Sequence, residues 1–223
     1  MEREKPKIDS LTGLLSRRSF EEHFKKSVQD ATRRQEPLTL AFIDLDQFIS
    51  VNDSLGHVGG DAILAGVAGL LKQHLGQGAI LGRYGGDELV AILAGTEREQ
   101  AFLAIERLRA AVENKQDYPY EGAQYSAQVT FSAGIASFPI DGQNEIELLR
   151  KADQALYRAK EVGRNTIRLA YDERMVPKTT HYTMTQLERL SKLAQEQGCT
   201  EAELLREALD DLLKKYGLDE IVG

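Results

Sequence analysis

The run LTLAFID, beginning at Leu38, is apolar almost throughout and predicts a buried strand. It ends in carboxylates, Asp44 and Asp46, rather than in ordinary turn residues. Residues 61–71 predict an apolar helix, and ILGRYGGDELVAIL then predicts two strands joined through Gly85 and Gly86, a pair suited to the positive φ of a tight hairpin. The hairpin tip presents Asp87 and Glu88. Helical spacing returns over 97–114 at Ala101, Ala104, Ile105, Leu108 and Val112, and 125–137 predicts a strand pair or one long strand. Leu148, Leu149, Ala152, Ala155, Leu156, Ala159 and Val162 then recur at helical steps, an amphipathic helix that Gly163 can terminate. Strands alternating with helices make the fold class an α/β or α+β sandwich.

This pattern breaks after residue 170, where DERMVPK is polar and carries Pro177, so a linker is expected over 171–177 between a first domain, 1–170, and a small C-terminal unit, 178–223. That unit opens with a β-prone stretch, KTTHYT, followed by two helices separated at Gly198, a β-α-α order. The first helix, over 185–197, is expected to turn Leu187, Leu190, Leu193 and Ala194 inward; the second opens at Thr200 with Glu203 as a capping box. About forty-five residues do not easily build a stable core alone, so the tail is expected to dock on the first domain or to dimerise.

Composition narrows the class. The 223 residues are 42% hydrophobic, ordinary for a globular protein. The longest apolar run, 62–71, is interrupted by Gly66 and Gly69 and falls short of the roughly eighteen residues a membrane helix requires, so no membrane partner is expected. The N-terminus, MEREKPKIDS, lacks the apolar segment of a secretory signal, and Cys199 is the only cysteine; both fit a cytoplasmic location and leave no thiolate metal site. A net charge of −7 argues against a broad nucleic-acid-coating surface. An anionic substrate would need local neutralisation, by metal or by a few placed cations.

The chemistry concentrates at two strand ends. Asp44 from FIDLD and the Asp87, Glu88 pair from the hairpin could converge on one point, where unpaired carboxylates would repel one another. A divalent cation, Mg²⁺ or alternatively Mn²⁺, resolves that repulsion, and Mg²⁺ favours a few hard oxygens together with substrate phosphates. Two such ions can activate a hydroxyl and stabilise a leaving pyrophosphate. A solvated acidic turn is the other reading of these residues taken alone.

The run RYGGDEL, 83–89, resembles the GGDEF signature of diguanylate cyclases. The resemblance extends to DSLTGL at 9–14 with Arg17 and Arg18, then FIDLDQF, NDSLGHVGGD, TFSAGIA and ADQALYRAKEVGRN, in the family's order over roughly residues 9 to 168. It implies a nucleotidyl-cyclase- or palm-like fold, a mostly antiparallel central sheet flanked by helices, and condensation of two GTP into cyclic di-GMP across a homodimer, since one domain would hold one GTP. By position, Asp44, Asp87 and the Leu45 carbonyl would hold metal, and Glu88 would bind metal or deprotonate the 3′-hydroxyl. Asn52 and Asp61 look like the guanine-reading pair, although Asp61 could instead cap the helix expected to start there. Lys160 and Arg164, four apart and expected on one helical face, look like the pair gripping the terminal phosphates. Phe48 is expected beneath the phosphate turn, Asp46 as a cap for the next helix, and His57 in a structural role.

Three departures stand out. Leu89 replaces the signature Phe at a strand position expected to be partly buried. Ile49 replaces a lysine common in relatives, and GQGA at 76–79 stands where the product-inhibition site carries Arg-x-x-Asp, so no feedback inhibition through that site is expected. No sensory domain precedes residue 9, so the usual upstream regulator is expected to be absent. The tail resembles a ribbon-helix-helix unit, in which two chains pair strands and Thr179 and His181 would read DNA. Residues 178–223 carry six Lys or Arg against nine Asp or Glu, which favours dimerisation over phosphate contact. Two functions remain in view: an active cyclase, or a catalytically weak GTP-responsive regulator acting through a DNA-binding or partner-binding tail.

Overall fold

A computed structural model describes residues 7–76, 78–170 and 182–197, together with Glu201, Leu204, Leu205, Ala208, Leu209, Leu212, Lys215 and Tyr216. The chain divides into two compact units, 1–173 and 174–223.

In the first unit the elements run β1 (Leu15–Ser16), α1 (Arg17–Arg34), β2 (Leu38–Leu45), α2 (Phe48–Leu75), β3 (Ile80–Arg83), β4 (Glu88–Ala94), α3 (Arg98–Asn114), β5 (Asp117–Tyr120), β6 (Ala123–Ser126), β7 (Phe131–Phe138), α4 (Glu145–Glu161) and β8 (Ile167–Leu169). Six strands form one sheet in the order β1-β3-β4-β2-β7-β8, with β5 and β6 in a separate hairpin. The pairings of β3 with β4, β4 with β2 and β2 with β7 are antiparallel; only the outer pairs β1–β3 and β7–β8 are parallel. The result is a mixed α/β domain with a mostly antiparallel central sheet flanked by helices.

Helices on both faces explain why β2 is apolar without alternation: all eight of its residues are buried. Leu40 and Phe42 pack on one side with Phe20, Phe24, Leu148 and Leu156 from α1 and α4. Ala41, Ile43 and Leu45 pack on the other with Ile63, Leu64, Val67 and Ile105 from α2 and α3. Asp44 shares the parity of Phe42 and therefore emerges on the α4 side.

Two expectations change here. The helix predicted over 61–71 is part of a 28-residue element interrupted at Gly56, whose φ of 71° and ψ of 170° lie outside the helical region. Its first part, residues 48–55, alternates Phe48, Ile49, Val51 and Leu55 with polar residues and forms no apolar run, which hid it from an apolar-run reading. Among the described residues α2 alone is long and apolar enough to cross a membrane by length and composition. Its Ala62, Ile63, Leu64, Val67, Ala68 and Leu71 are instead buried in the domain core. Second, Gly85 and Gly86 adopt no positive φ in the hairpin. A Cβ on Gly85 would instead collide with the carboxylate of Glu88, so this glycine clears space for a site residue.

In the tail, α5 (Met184–Gln197) is helical, as are Glu201, Leu204, Leu205, Ala208, Leu209, Leu212 and Lys215 further on. The expected linker and strand, the cap at Thr200 with Glu203, and the DNA-reading candidates Thr179 and His181 lie outside the described residues. Of the four α5 positions expected to face inward, Ala194 is buried, but Leu187 and Leu193 are 38% and 43% exposed.

Candidate active site

The antiparallel register of β2 and β4 sets Asp44 directly opposite Glu88. Asp87 precedes β4 in the hairpin, and its carbonyl accepts a hydrogen bond from the Leu45 backbone at 3.3 Å. Asp44 is buried and Asp87 and Glu88 are half-buried, so three acidic side chains meet at the junction of two strand ends. The electrostatics register the crowding. Burial raises the Asp44 carboxyl above its ordinary range; Lys160 pulls it down, and the charges of Asp87 and Asp46 push it up again. Burial likewise raises Glu88, reinforced by the charges of Asp44 and Asp87.

Lys160 reaches this cluster from α4, its Nζ 2.8 Å from Asp44 Oδ2. The ammonium thus sits as a counter-ion to the carboxylates. Among the described residues no group of three or more His, Cys, Asp or Glu is closed into a ready coordination shell. The donor chemistry nevertheless suits a hard divalent cation: two raised carboxylates and a third beside them, with one ammonium to offset their charge.

The hairpin is held by Arg83. Its guanidinium donates to the Gly85 and Gly86 carbonyls, the latter at 2.8 Å, and pairs with Asp9 at 3.2 Å. Asp9 in turn accepts from the Thr12 backbone and hydroxyl at 2.8 and 2.7 Å. Burial alone would raise Asp9, but the Thr12 hydrogen bonds and Arg83 leave it lowered. Arg17 stacks over the Tyr84 ring, 4.2 Å from its centroid. The N-terminal DSLTGL segment and Arg17 therefore brace the acidic turn from behind. Sequence reasoning placed these residues in a motif but gave them no role; the signal was Asp9 with Thr12 three positions on, a local side-chain turn.

Asn52 and Asp61 lie on opposite sides of the Gly56 break. A Cβ on Gly60 would collide with Asn52 and press the Phe48 ring at 3.3 Å, so Asn52, Phe48 and the residue before Asp61 are packed together. Asp61 sits inside the helix rather than at its start and is not an N-cap. Asp46 does not cap either: α2 has Gln47 at its N-cap without a side-chain cap bond, and Asp46 accepts from Thr130, Ser132 and the Asn165 backbone. Lys160 and Arg164 do not share a helical face, because α4 ends at Glu161 and Arg164 has a φ of 65° in the following turn. Arg164 lines a cleft of about 530 Å³ with Gln47 and Ser50 from the start of α2 and with the Ser126–Thr130 segment. Leu89 is fully buried, more so than expected, and Ile49 is 76% exposed.

Residues 6–166 match the family model described as "Diguanylate cyclase, GGDEF domain". The chain belongs to this GGDEF family. Residues 176–217 match a ribbon-helix-helix domain. Over 169 residues the chain is 38% identical to diguanylate cyclase DgcP of Pseudomonas aeruginosa, covering 76% of this chain and 25% of that protein. It is also 32% identical over 182 residues to a protein of the same organism named cyclic di-GMP phosphodiesterase NbdA, 82% of this chain and 23% of that one. Curated relatives of this kind are thus several times longer than the segment they share with it. Among solved structures, the GGDEF domain of DgcB from Caulobacter crescentus, in complex with c-di-GMP, superposes with a TM-score of 0.69 at 26% identity, covering 77% of this chain and 97% of that one.

Proposed function

We propose that this chain is a diguanylate cyclase that joins two GTP molecules into cyclic di-GMP, with release of two pyrophosphates, across a homodimer. The observation that carries the reading is the junction of Asp44, Asp87 and Glu88, where burial and neighbouring negative charge raise the Asp44 and Glu88 carboxyls and Lys160 pairs with Asp44. Asp44, Asp87 and the Leu45 carbonyl would hold Mg²⁺ or Mn²⁺, with Glu88 beside them. Such an ion supplies charge neutralisation for the phosphates and for the leaving pyrophosphate.

The chain's own residues do the rest. Glu88, its carboxyl raised by burial and by its acidic neighbours, is the better proton acceptor for it and takes the proton of the 3′-hydroxyl. The 3′-oxygen then bonds to the α-phosphorus of the GTP on the facing protomer as the bond to pyrophosphate breaks. Lys160 and Arg164 hold the terminal phosphates, with the backbone N–H groups at the start of α2 beneath them and Phe48 filling the space behind. Asn52 and Asp61 accept from the guanine N1–H and amino group, a pattern adenine cannot satisfy. Leu89 is fully buried at its strand position, away from the carboxylates themselves, so the departure from the signature Phe leaves every proposed ligand in place.

The tail is assigned the pairing of two chains through the exposed Leu187 and Leu193 of α5, with DNA contact through Thr179 and His181 as its further role. The decisive experiment incubates purified protein with Mg²⁺ and GTP beside Asp87→Ala. Cyclic di-GMP from the unaltered chain alone is the expected result; GTP binding without product would replace this reading with a nucleotide-responsive regulator.

A further inference from the structure

Arg164 sits in an unusual stretch of backbone. Gly163, Arg164 and Asn165 have φ values of 119°, 65° and 45°, three consecutive positive angles of which two belong to residues with side chains. L residues rarely adopt this conformation, so something must hold the turn. One tie to the preceding helix runs from the Arg164 N–H to the Ala159 carbonyl at 3.1 Å, just after the Val162 N–H bonds to the Arg158 carbonyl at 3.2 Å. The other anchors are at Asn165. Its backbone N–H donates to Asp46 Oδ2 at 2.9 Å, and its side chain is clamped between Arg109 Nη1 at 2.6 Å and Glu113 Oε1 at 2.8 Å. Arg109 also pairs with Glu113 at 2.9 Å, which fixes the clamp on α3.

Asp46 is committed to this work. It is 8% exposed, and besides Asn165 it accepts from the Thr130 and Ser132 hydroxyls, each at 2.7 Å. Three donors occupy a carboxylate that stands two residues from Asp44 in the same acidic motif. That explains why one aspartate of FIDLD belongs with the acidic cluster and the other does not. The turn it secures is the one that carries Arg164 along the cleft beside the start of α2.

We propose that Asp46 is the positioning residue for Arg164: through the Asn165 backbone, with Arg109 and Glu113 clamping the Asn165 side chain, it holds the guanidinium where the terminal phosphates of GTP bind. The proposal rests on the phosphate role given to Arg164 above. It requires that Asp46 matter for the β- and γ-phosphates and not for the base, and that its effect pass through Arg164.

The test measures affinity by calorimetry with Mg²⁺, using 3′-deoxy-GTP, which lacks the attacking hydroxyl, and 3′-deoxy-GMP, which lacks the terminal phosphates. Asp46→Asn is expected to weaken 3′-deoxy-GTP by about 10-fold while changing 3′-deoxy-GMP by less than about 2-fold, the loss of a charge-assisted arrangement at one end of the ligand. In an Arg164→Ala background the same substitution is expected to add almost nothing, a non-additive cycle. Asn165→Gly tolerates the left-handed turn but removes the side-chain clamp, and is expected to give the same pattern at smaller size even if Asp46→Asn folds poorly. Equal weakening of both nucleotides, or additivity with Arg164→Ala, overturns the proposal and leaves Asp46 a structural residue. If Arg164→Ala itself leaves 3′-deoxy-GTP affinity unchanged, the phosphate role of Arg164 fails first and the proposal falls with it.

Discussion

Helices α4 and α5 carry the same kind of apolar stripe, and they meet opposite fates. In α4, Leu148, Ala152, Ala155, Leu156 and Ala159 are all buried, packed on the central sheet of their own unit. In α5, Ala194 is buried while Leu187 and Leu193 remain more than a third exposed, and Leu205, Leu209 and Leu212 further along are exposed as well. A 3.6-residue period says that a helix has a face to bury, not what will bury it. The first unit closes its core from its own chain. The tail, at about fifty residues, is in the size range where a partner chain commonly completes the core.

The largest expected effect comes from breaking that difference. Leu187→Glu with Leu193→Glu places charge on the face assigned to the partner chain. Tethered partners experience effective concentrations on the order of millimolar, so at micromolar protein cyclic di-GMP formation should fall by about 10²-fold or more. Analytical ultracentrifugation should show monomer, while circular dichroism shows the first unit still folded. A dimer that persists at full activity would mean the tail's apolar face serves something else.

Next comes a substitution inside the self-sufficient unit. Arg83→Ala removes the guanidinium that holds two hairpin carbonyls and the Asp9 carboxylate, and leaves the half-buried Gly85 carbonyl and Asp9 carboxylate without that donor. Losing hydrogen bonds to a charged group costs about 1.5–3 kcal/mol, enough to lower both stability and turnover by a factor of about 10 or more. Chemical denaturation and steady-state rates check it, and unlike the tail variant this one should leave the oligomeric state unchanged.

How much of this could be read from the chain alone follows from what each feature depends on. The sheet, the flanking helices and the acidic junction were legible because β2, the hairpin and α4 announce themselves by local pattern. Three things were not. The first half of α2 has no apolar run, so the break at Gly56 and the packing of Asn52 against Gly60 required the folded path. Arg164 falls four residues after Lys160, which reads as one helical face although Gly163 between them can end the helix, and α4 does end at Glu161. Asp46 looks like a cap by position, yet its partners come from β7, from the Ser126–Thr130 segment and from a turn 119 residues away. Contacts of that separation leave no local trace.

Leu89 gives a smaller, cleaner measure of how complete the first unit is. The side chain is fully buried among Ile43, Leu45, Ala91 and Phe131. Restoring the family's aromatic residue with Leu89→Phe would have to enlarge a filled position. Overpacking of this kind costs about 1–3 kcal/mol, so the melting temperature should fall. A rise would reveal a void and make the leucine a defect rather than a fit.

The first unit is nevertheless incomplete in one respect, and its deficiency is of the opposite kind to the tail's. The described tail residues leave apolar side chains exposed; the junction of Asp44, Asp87 and Glu88 crowds negative charge. Both Asp44 and Glu88 have carboxyls raised by folding, so the stability they contribute is present at low pH, where they are protonated, and is lost as pH rises through their raised values. As pH rises the two carboxyls ionise and repel one another, which is the state a divalent cation relieves. The expected outcome is a melting temperature that Mn²⁺ raises at neutral pH, by an increment that shrinks as pH falls through the raised carboxyl range and the ligands protonate. Glu88→Gln separates this from nonspecific ion effects: it should raise the metal-free melting temperature slightly and reduce the Mn²⁺ increment. An increment independent of pH, or unaffected by Glu88→Gln, would place the stabilising ion somewhere other than this junction.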